Sequence, residues 1–276
     1  MLIIVMYPLY FVLIASVSNP QYVNSGTPLL YPKGFTLMGY TRVFADTRIF
    51  IGYQNTLIYA VFGTLLSLLV QVPAGYALSR SDLPGKNIFM AMFVFTMYFS
   101  GGLIPHYLIV KSLGLINHRL LMIMSGCCSV YNIIIIRSFC HSTLPLELQE
   151  AAFIDGCSNQ RYFFSIVLPL SKAIIAVIAL YALVMHWNSY FNAMIFITDR
   201  KKYPLQLYLR EILLSAKTYE DASSVGMDAE TAMMMEQMVE VVKYGVIVVS
   251  TVPIIAVYPF LQKYFVKGVM IGALKG

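Results

Sequence analysis

The sequence predicts an all-α polytopic membrane protein of six transmembrane helices, with a polar loop between the fourth and fifth. Three observations carry this. Of the 276 residues, 59% are hydrophobic and only 12% are charged, against about 25% charged in a soluble domain. The mean hydropathy is +0.72. The apolar residues also come in continuous runs about 20 long, without the strict alternation of a barrel strand. So few charges cannot clothe a globule in water. In lipid, where every backbone polar group must be satisfied internally, continuous runs of this kind form helices.

The first run covers residues 2–17. It is short and lacks a basic flank before it, which suits a first helix whose upstream part is absent. A cleaved signal peptide is the alternative, since Ala15 and Val17 are small. The second run, 53–78, contains Pro73, expected to kink it. The third, 88–99, stops at the breaker Ser100-Gly101-Gly102. The fourth, fifth and sixth cover 120–139, 170–197 and 244–266. Two connections are long, 18–52 and 198–243. In the second, Leu205, Leu209, Ile212 and Leu213 follow a helical spacing, predicting a helix on the surface. The methionine-rich stretch before residue 238 reads as the apolar face of a helix leading into the sixth span.

The formal net charge is +6, but the basic residues stand singly at the ends of apolar runs. They read as interfacial anchors and not as a nucleic-acid stripe. They do not orient the chain: with the N-terminus inside, eight of the nineteen Lys and Arg residues fall inside and eleven outside, six of those between Arg200 and Lys243. The four cysteines form no C-x-x-C pair and the four histidines no H-E-x-x-H, so no metal site or disulfide framework is expected. There is no G-x-x-x-x-G-K-[ST], so the chain should not itself bind ATP through a P-loop. No catalytic constellation and no cofactor site is indicated.

The stretch from Glu147 to Pro169, ELQEAAFIDGCSNQRYFFSIVLP, breaks the apolar pattern. Pro145 suits the first position of a helix, and Glu147 and Glu150 then lie where the helix dipole favours acids. Leu148, Ala151, Ala152 and Asp155 share a face whose two alanines permit close approach by another surface. Gly156 comes where the helix must end and is able to take the left-handed C-cap conformation. Ser158 or Asn159 is placed to cap a second short helix, QRYFFSIV. The expectation is helix, tight turn, helix over a loop spanning 140–169. On the residues alone, an ordinary amphipathic surface loop fits as well.

The pattern Glu150-Ala151-Ala152, Gly156, Ile166-Val167-Leu168-Pro169 resembles the cytoplasmic loop of ABC importer permeases. The fuller form with Asp155-Gly156 and Leu168-Pro169-Leu170 is similar to the carbohydrate-uptake branch, akin to the smaller membrane subunit of the maltose importer. Further segments resemble that family in order: YPLYFVLIASVSNP, NTLIYA, AGYALSRSDLPGK, GLIPHYLIVKSLGLINH, HWNSYFNAMIFI, YPLQ and the terminal LQKYFVKGVMIGALKG. The resemblance implies a permease subunit of a sugar importer, for an oligosaccharide in particular. It would pair with a second permease, two ATPase subunits and an extracellular binding protein. Glu150, Ala151, Ala152, Asp155 and Gly156 would couple it to the ATPase. The same resemblance implies that loop and both termini are cytoplasmic, and that residues 267–276 reach toward the ATPase dimer.

Candidates for a translocation path are Asn132, a lone amide in the fourth run, and Trp187, Asn188, Tyr190 and Asn192. Asn188 lies 18 residues beyond Leu170, about 27 Å along a helix. Aromatic rings and amides suit a sugar, and they equally suit an interfacial belt with interhelical hydrogen bonds. Ala173, Ala176, Ala179 and Ala182 read as packing residues. Three rival readings fit less well. An ABC permease for another solute lacks the sugar-type ending. A secondary transporter would need membrane-embedded acids and an internal repeat. A membrane enzyme would need catalytic groups.

Overall fold

The computed structural model describes residues 2–24, 30–223 and 241–257, with 239 and 259. Among the described residues every regular element is helical. In chain order they are α1 (Leu2–Ser16), α2 (Pro20–Asn24), α3 (Met38–Ala45), α4 (Arg48–Ser79), α5 (Lys86–Tyr98), α6 (Leu103–Ser112), α7 (Arg119–Met124), α8 (Val130–Thr143), α9 (Leu146–Ile154), α10 (Asn159–Tyr162), α11 (Leu168–Leu170), α12 (Lys172–Trp187), α13 (Tyr190–Phe196) and α14 (Leu205–Ser223), then α15 (Val241–Val257).

α4 has 32 residues, a length of about 48 Å, and runs unbroken through Pro73. Its outward side chains, among them Phe62, Leu65 and Leu69, are exposed and apolar. That is the surface a lipid-facing helix presents. α4 is the one described helix long and apolar enough to cross a membrane by itself. Two bent pairs qualify when each counts as a single span: α5 with α6, at 112°, and α10–α11 with α12, at 79°.

The third run ends at its expected breaker, and two runs expected as unbroken helices are interrupted, each for a local reason. After α5 the chain turns at Gly102, whose φ of 83° lies in the left-handed region. The fourth run splits into α7 and α8 because Gly126 takes φ 75° and the Ser129 side chain accepts the Asn132 N–H to restart the helix. The fifth run breaks at Asn188 and Ser189, whose side chains donate to the carbonyls of Val184 (3.0 Å) and His186 (2.7 Å). The methionine-rich stretch, the sixth run beyond Val257 and the terminal residues 267–276 lie outside the described residues.

The chain forms two compact units. The first comprises Met1–Thr56, Ala193–Ile195 and Asp199–Val257. Its helices meet where side chains are smallest: a Cβ at Gly39 would strike the Val241 carbonyl, and one at Gly52 the Leu205 backbone. Tyr53 donates to the Val249 carbonyl at 2.7 Å, and Asn55 donates to the carbonyls of Lys201 and Tyr203. Thr56 Oγ1 accepts the Leu205 N–H at 2.8 Å, pinning the start of α14. Leu205 and Leu209 are buried, so α14 packs its apolar stripe on its own chain.

The second unit comprises Leu57–Asn192 and Phe196–Thr198. Its core gathers Val72 and Tyr76 of α4, Ile136 and Cys140 of α8, Ala152 of α9, Tyr162 and Val167 after it, and Ile174 and Ile178 of α12. α4 and α8 approach at Gly75, where a Cβ would overlap Ile136. α4 and α12 approach at Gly63, whose missing side chain makes room for the fully buried His186 imidazole.

Candidate functional site

The polar interruption folds as a rigid hairpin of helices. Pro145 sits just outside α9 with φ −62° and ψ 144°, one position earlier than its expected place at the start of the helix. Glu147 lies in the first turn. At the other end Asp155 is the C-cap and Gly156 takes φ 78°. The Cys157 N–H reaches the Ala152 carbonyl at 2.9 Å and the Gly156 N–H the Phe153 carbonyl at 3.0 Å. This pair of bonds is a Schellman motif, which satisfies the last carbonyls of α9. Ser158 then caps α10, its Oγ accepting the Arg161 N–H at 3.3 Å. α10 continues through a π-helical turn, Phe163–Val167, into α11. That turn widens just before Pro169, which has no N–H to offer the carbonyl four residues back.

The structure divides the small face of α9. Ala152 is buried in the core of the unit beside Tyr76 and Tyr162. Glu147, Glu150, Ala151, Asp155 and Gly156 are exposed, and Ile154 is 86% exposed. Ala152 therefore seats α9 on its own chain, while Ala151, flanked by acids and Ile154, faces outward. Among the described residues neither Glu147 nor Glu150 has an ion-pair partner. The outward face is thus acidic around an apolar point.

Packed against the hairpin is the C-terminal end of α4. Its final carbonyls are covered by cations, as the helix dipole favours: Arg137 Nε donates to Leu78 O (3.2 Å) and Lys86 Nζ to Arg80 O (3.3 Å). Arg80 Nε donates to Asp82 Oδ1 at 2.7 Å and Nη2 to Asp82 Oδ2. This bond raises the guanidinium pKa and lowers the Asp82 carboxyl below its ordinary value. Arg80 Nη1 donates to Asn159 Oδ1 at 2.7 Å and to the Tyr76 hydroxyl at 3.3 Å. A cleft of about 370 Å³ opens beside it, lined among others by Ser79, His141, Gln149 and Tyr162.

Farther along α4 a polar group spans the break between α7 and α8. Gln71, 1% exposed, donates to the carbonyls of Cys127 (2.9 Å) and Gly126 (3.4 Å) and accepts from Asn132 Nδ2 at 3.0 Å. Asn192 Nδ2 donates to Ser125 Oγ at 2.6 Å. Buried irregular backbone must have its polar groups satisfied by the protein, and these amides do so. Of the five path candidates, Asn132 and Trp187 are buried in protein, Asn192 is half-buried and bonded to the break, and Asn188 and Tyr190 are exposed.

Sequence reasoning missed Gln71 and the contacts of Arg80. Gln71 carries the same signal that singled out Asn132, a lone amide in an apolar helix. Arg80 reads from sequence only as one of several cations at helix ends.

A helical membrane protein with a rigid, outward-facing hairpin between two of its helices has the form of a transporter permease. The polygalacturonan/rhamnogalacturonan transport system permease protein YtcP of Bacillus subtilis (strain 168) is 38% identical over 99% of this chain and 94% of its own length. Protein LplC of the same organism is 38% identical over 99% of this chain and 90% of its own. A crystal structure of a bacterial ABC transporter involved in the import of the acidic polysaccharide alginate superposes with a TM-score of 0.81. It is 32% identical and covers 95% of this chain and 91% of that one. No model of a protein family matches the chain. The chain belongs to the permease subunits of ABC sugar importers. It is a non-catalytic membrane component of a bacterial import system that also includes an ATPase and a binding protein.

Proposed function

We propose that this permease carries an acidic, uronate-containing oligosaccharide across the membrane, with the exposed face of α9 as its contact to the ATPase. The observation that supports the coupling role is the hairpin itself: a capped helix, seated inward through Ala152, with Glu147, Glu150, Ala151, Ile154 and Asp155 outward. A contact that transmits closure must be stiff, and one that docks must carry complementary groups. The unpaired acids call for a basic groove on the ATPase. The substrate class rests on the relatives: one is named for polygalacturonan and rhamnogalacturonan, another for alginate.

The partners are a second, homologous permease, two ATPase subunits and an extracellular binding protein. Loop 140–169 and both termini are cytoplasmic, segment 198–243 is outer, and the bent pairs complete a six-span arrangement. Asn188 and Tyr190, which keep exposed surface, face the path. The test is uptake by the reconstituted four-subunit complex with its binding protein. Oligogalacturonides should enter on ATP addition, and neutral maltooligosaccharides of equal length should not. Uptake of the neutral series alone overturns the substrate class.

A further inference from the structure

We infer that Arg80 is a strut that makes the α9–α10 hairpin and the inner end of α4 move as one body. This rests on α9 being the ATPase contact. The hairpin lies between α8 and α12 in the chain, and it is joined to those helices by peptide bonds. To α4 it has no covalent link within 70 or so residues, since Asn159 lies 79 positions beyond Arg80. Any motion delivered to α9 reaches α4 only through side chains.

Arg80 is built for that task. Its guanidinium, 14% exposed, uses three edges at once. Nε and Nη2 fork onto Asp82, which fixes the plane of the group from its own side of the chain. Nη1 is thereby aimed at Asn159 Oδ1, the first residue of α10. The face of the guanidinium lies 5.7 Å from the Phe153 ring centroid, at the end of α9, within cation–π range. The two contacts fall on opposite sides of the Gly156 turn, so one planar group grips both helices of the hairpin. One turn back along α4, Tyr76 packs tilted against Phe163, ring centroids 5.3 Å apart, and shares the core with Ala152 and Tyr162. Phe153 in turn meets Tyr162 edge-on at 5.9 Å.

Lysine would keep the charge and lose the fork onto Asp82 with its simultaneous reach to Asn159. The inference therefore separates Arg80→Lys from a mere need for a cation. It also makes Arg80 a positioning residue, acting through α9 and not on the sugar.

The experiment places spin labels at Gln160 of the hairpin, exposed and outside the proposed ATPase contact, and at Leu69 of α4, 72% exposed, in the assembled complex in lipid nanodiscs. Inter-label distances are measured without nucleotide and with ATP. In the wild type the distribution should stay narrow and keep its centre in both states. In Arg80→Ala and Arg80→Lys it should broaden or move with ATP. Asn159→Ala, which removes one contact of the strut, should do the same to a lesser degree. Oligogalacturonide uptake per ATP hydrolysed should fall about tenfold to a hundredfold in both Arg80 variants, the worth of one charge-assisted hydrogen bond. Wild-type distances in both Arg80 variants, with the complex assembled, overturn the strut. A wild-type complex that hydrolyses ATP without taking up any oligosaccharide overturns the proposed function instead, and the distance measurement still decides the strut.

Discussion

Gly156 separates two reasons for conserving space. Its φ is 78°, yet a Cβ built there meets nothing within 4 Å. The penalty for a side chain is therefore backbone strain and not collision: about 1–2 kcal/mol for an ordinary residue, and more for a β-branched one. Gly156→Val should leave the chain assembled in the membrane while binding-protein-stimulated ATP hydrolysis falls severely, because the α9–α10 turn reopens. Gly156→Asn should be much milder, since asparagine tolerates the left-handed region. Equal loss in both variants would show that bulk at the turn matters and strain does not. Glu150→Lys should also abolish stimulation, by reversing a charge on the outward face. Normal stimulation in both Gly156→Val and Glu150→Lys would reduce the hairpin to an exposed connector.

At the scale of elements, the break between α7 and α8 is what the polar side chains of the second unit serve. Asn132 donates to Gln71, and Gln71 donates to the Cys127 carbonyl, so removing either side chain strands a buried polar group at about 1–3 kcal/mol. Asn132→Ala and Gln71→Leu should lower the thermal midpoint of the purified permease in detergent without changing the sugar concentration for half-maximal uptake. Asn188→Ala should do the reverse, since its side chain is exposed and donates only to its own helix at Val184. A shifted half-saturation in Asn132→Ala with unchanged stability would return that residue to the path. Periodicity placed these helices, but it could not show the break. Ser125 to Ser129 is short and apolar enough to pass as helix, and Gly126 reveals itself only through the left-handed φ it adopts.

For the molecule as a whole, the proposed topology is open to chemical labelling. Cys157 is half-buried at the hairpin turn, Cys140 is buried, and at the α7–α8 break Cys127 is half-buried and Cys128 exposed. In a Cys127→Ser, Cys128→Ser variant without the ATPase, a membrane-impermeant maleimide should label Cys157 in inside-out vesicles and leave right-side-out cells unlabelled. Labelling from the outside would invert the topology. The purified chain should hydrolyse no ATP until the ATPase subunits are added.

The sequence by itself determined that the chain is an all-helical membrane protein. Charge density and continuous apolar runs are summed properties that depend on the solvent and not on contacts, and the cap residues of α9 and α10 act within a few positions of themselves. It also marked Gly156 and narrowed the second cap to Ser158 or Asn159, of which Ser158 serves, because a left-handed turn and an N-cap are local events. Only the tertiary structure decided which alanine faces inward: Ala151 and Ala152 are neighbours with the same chemistry, and the core against Tyr76 and Tyr162 chooses between them. It likewise assigned Asn132 to Gln71 and Arg80 to Asn159, pairs separated by 61 and 79 positions. No pattern along the chain encodes such pairings, since they follow from how the helices pack.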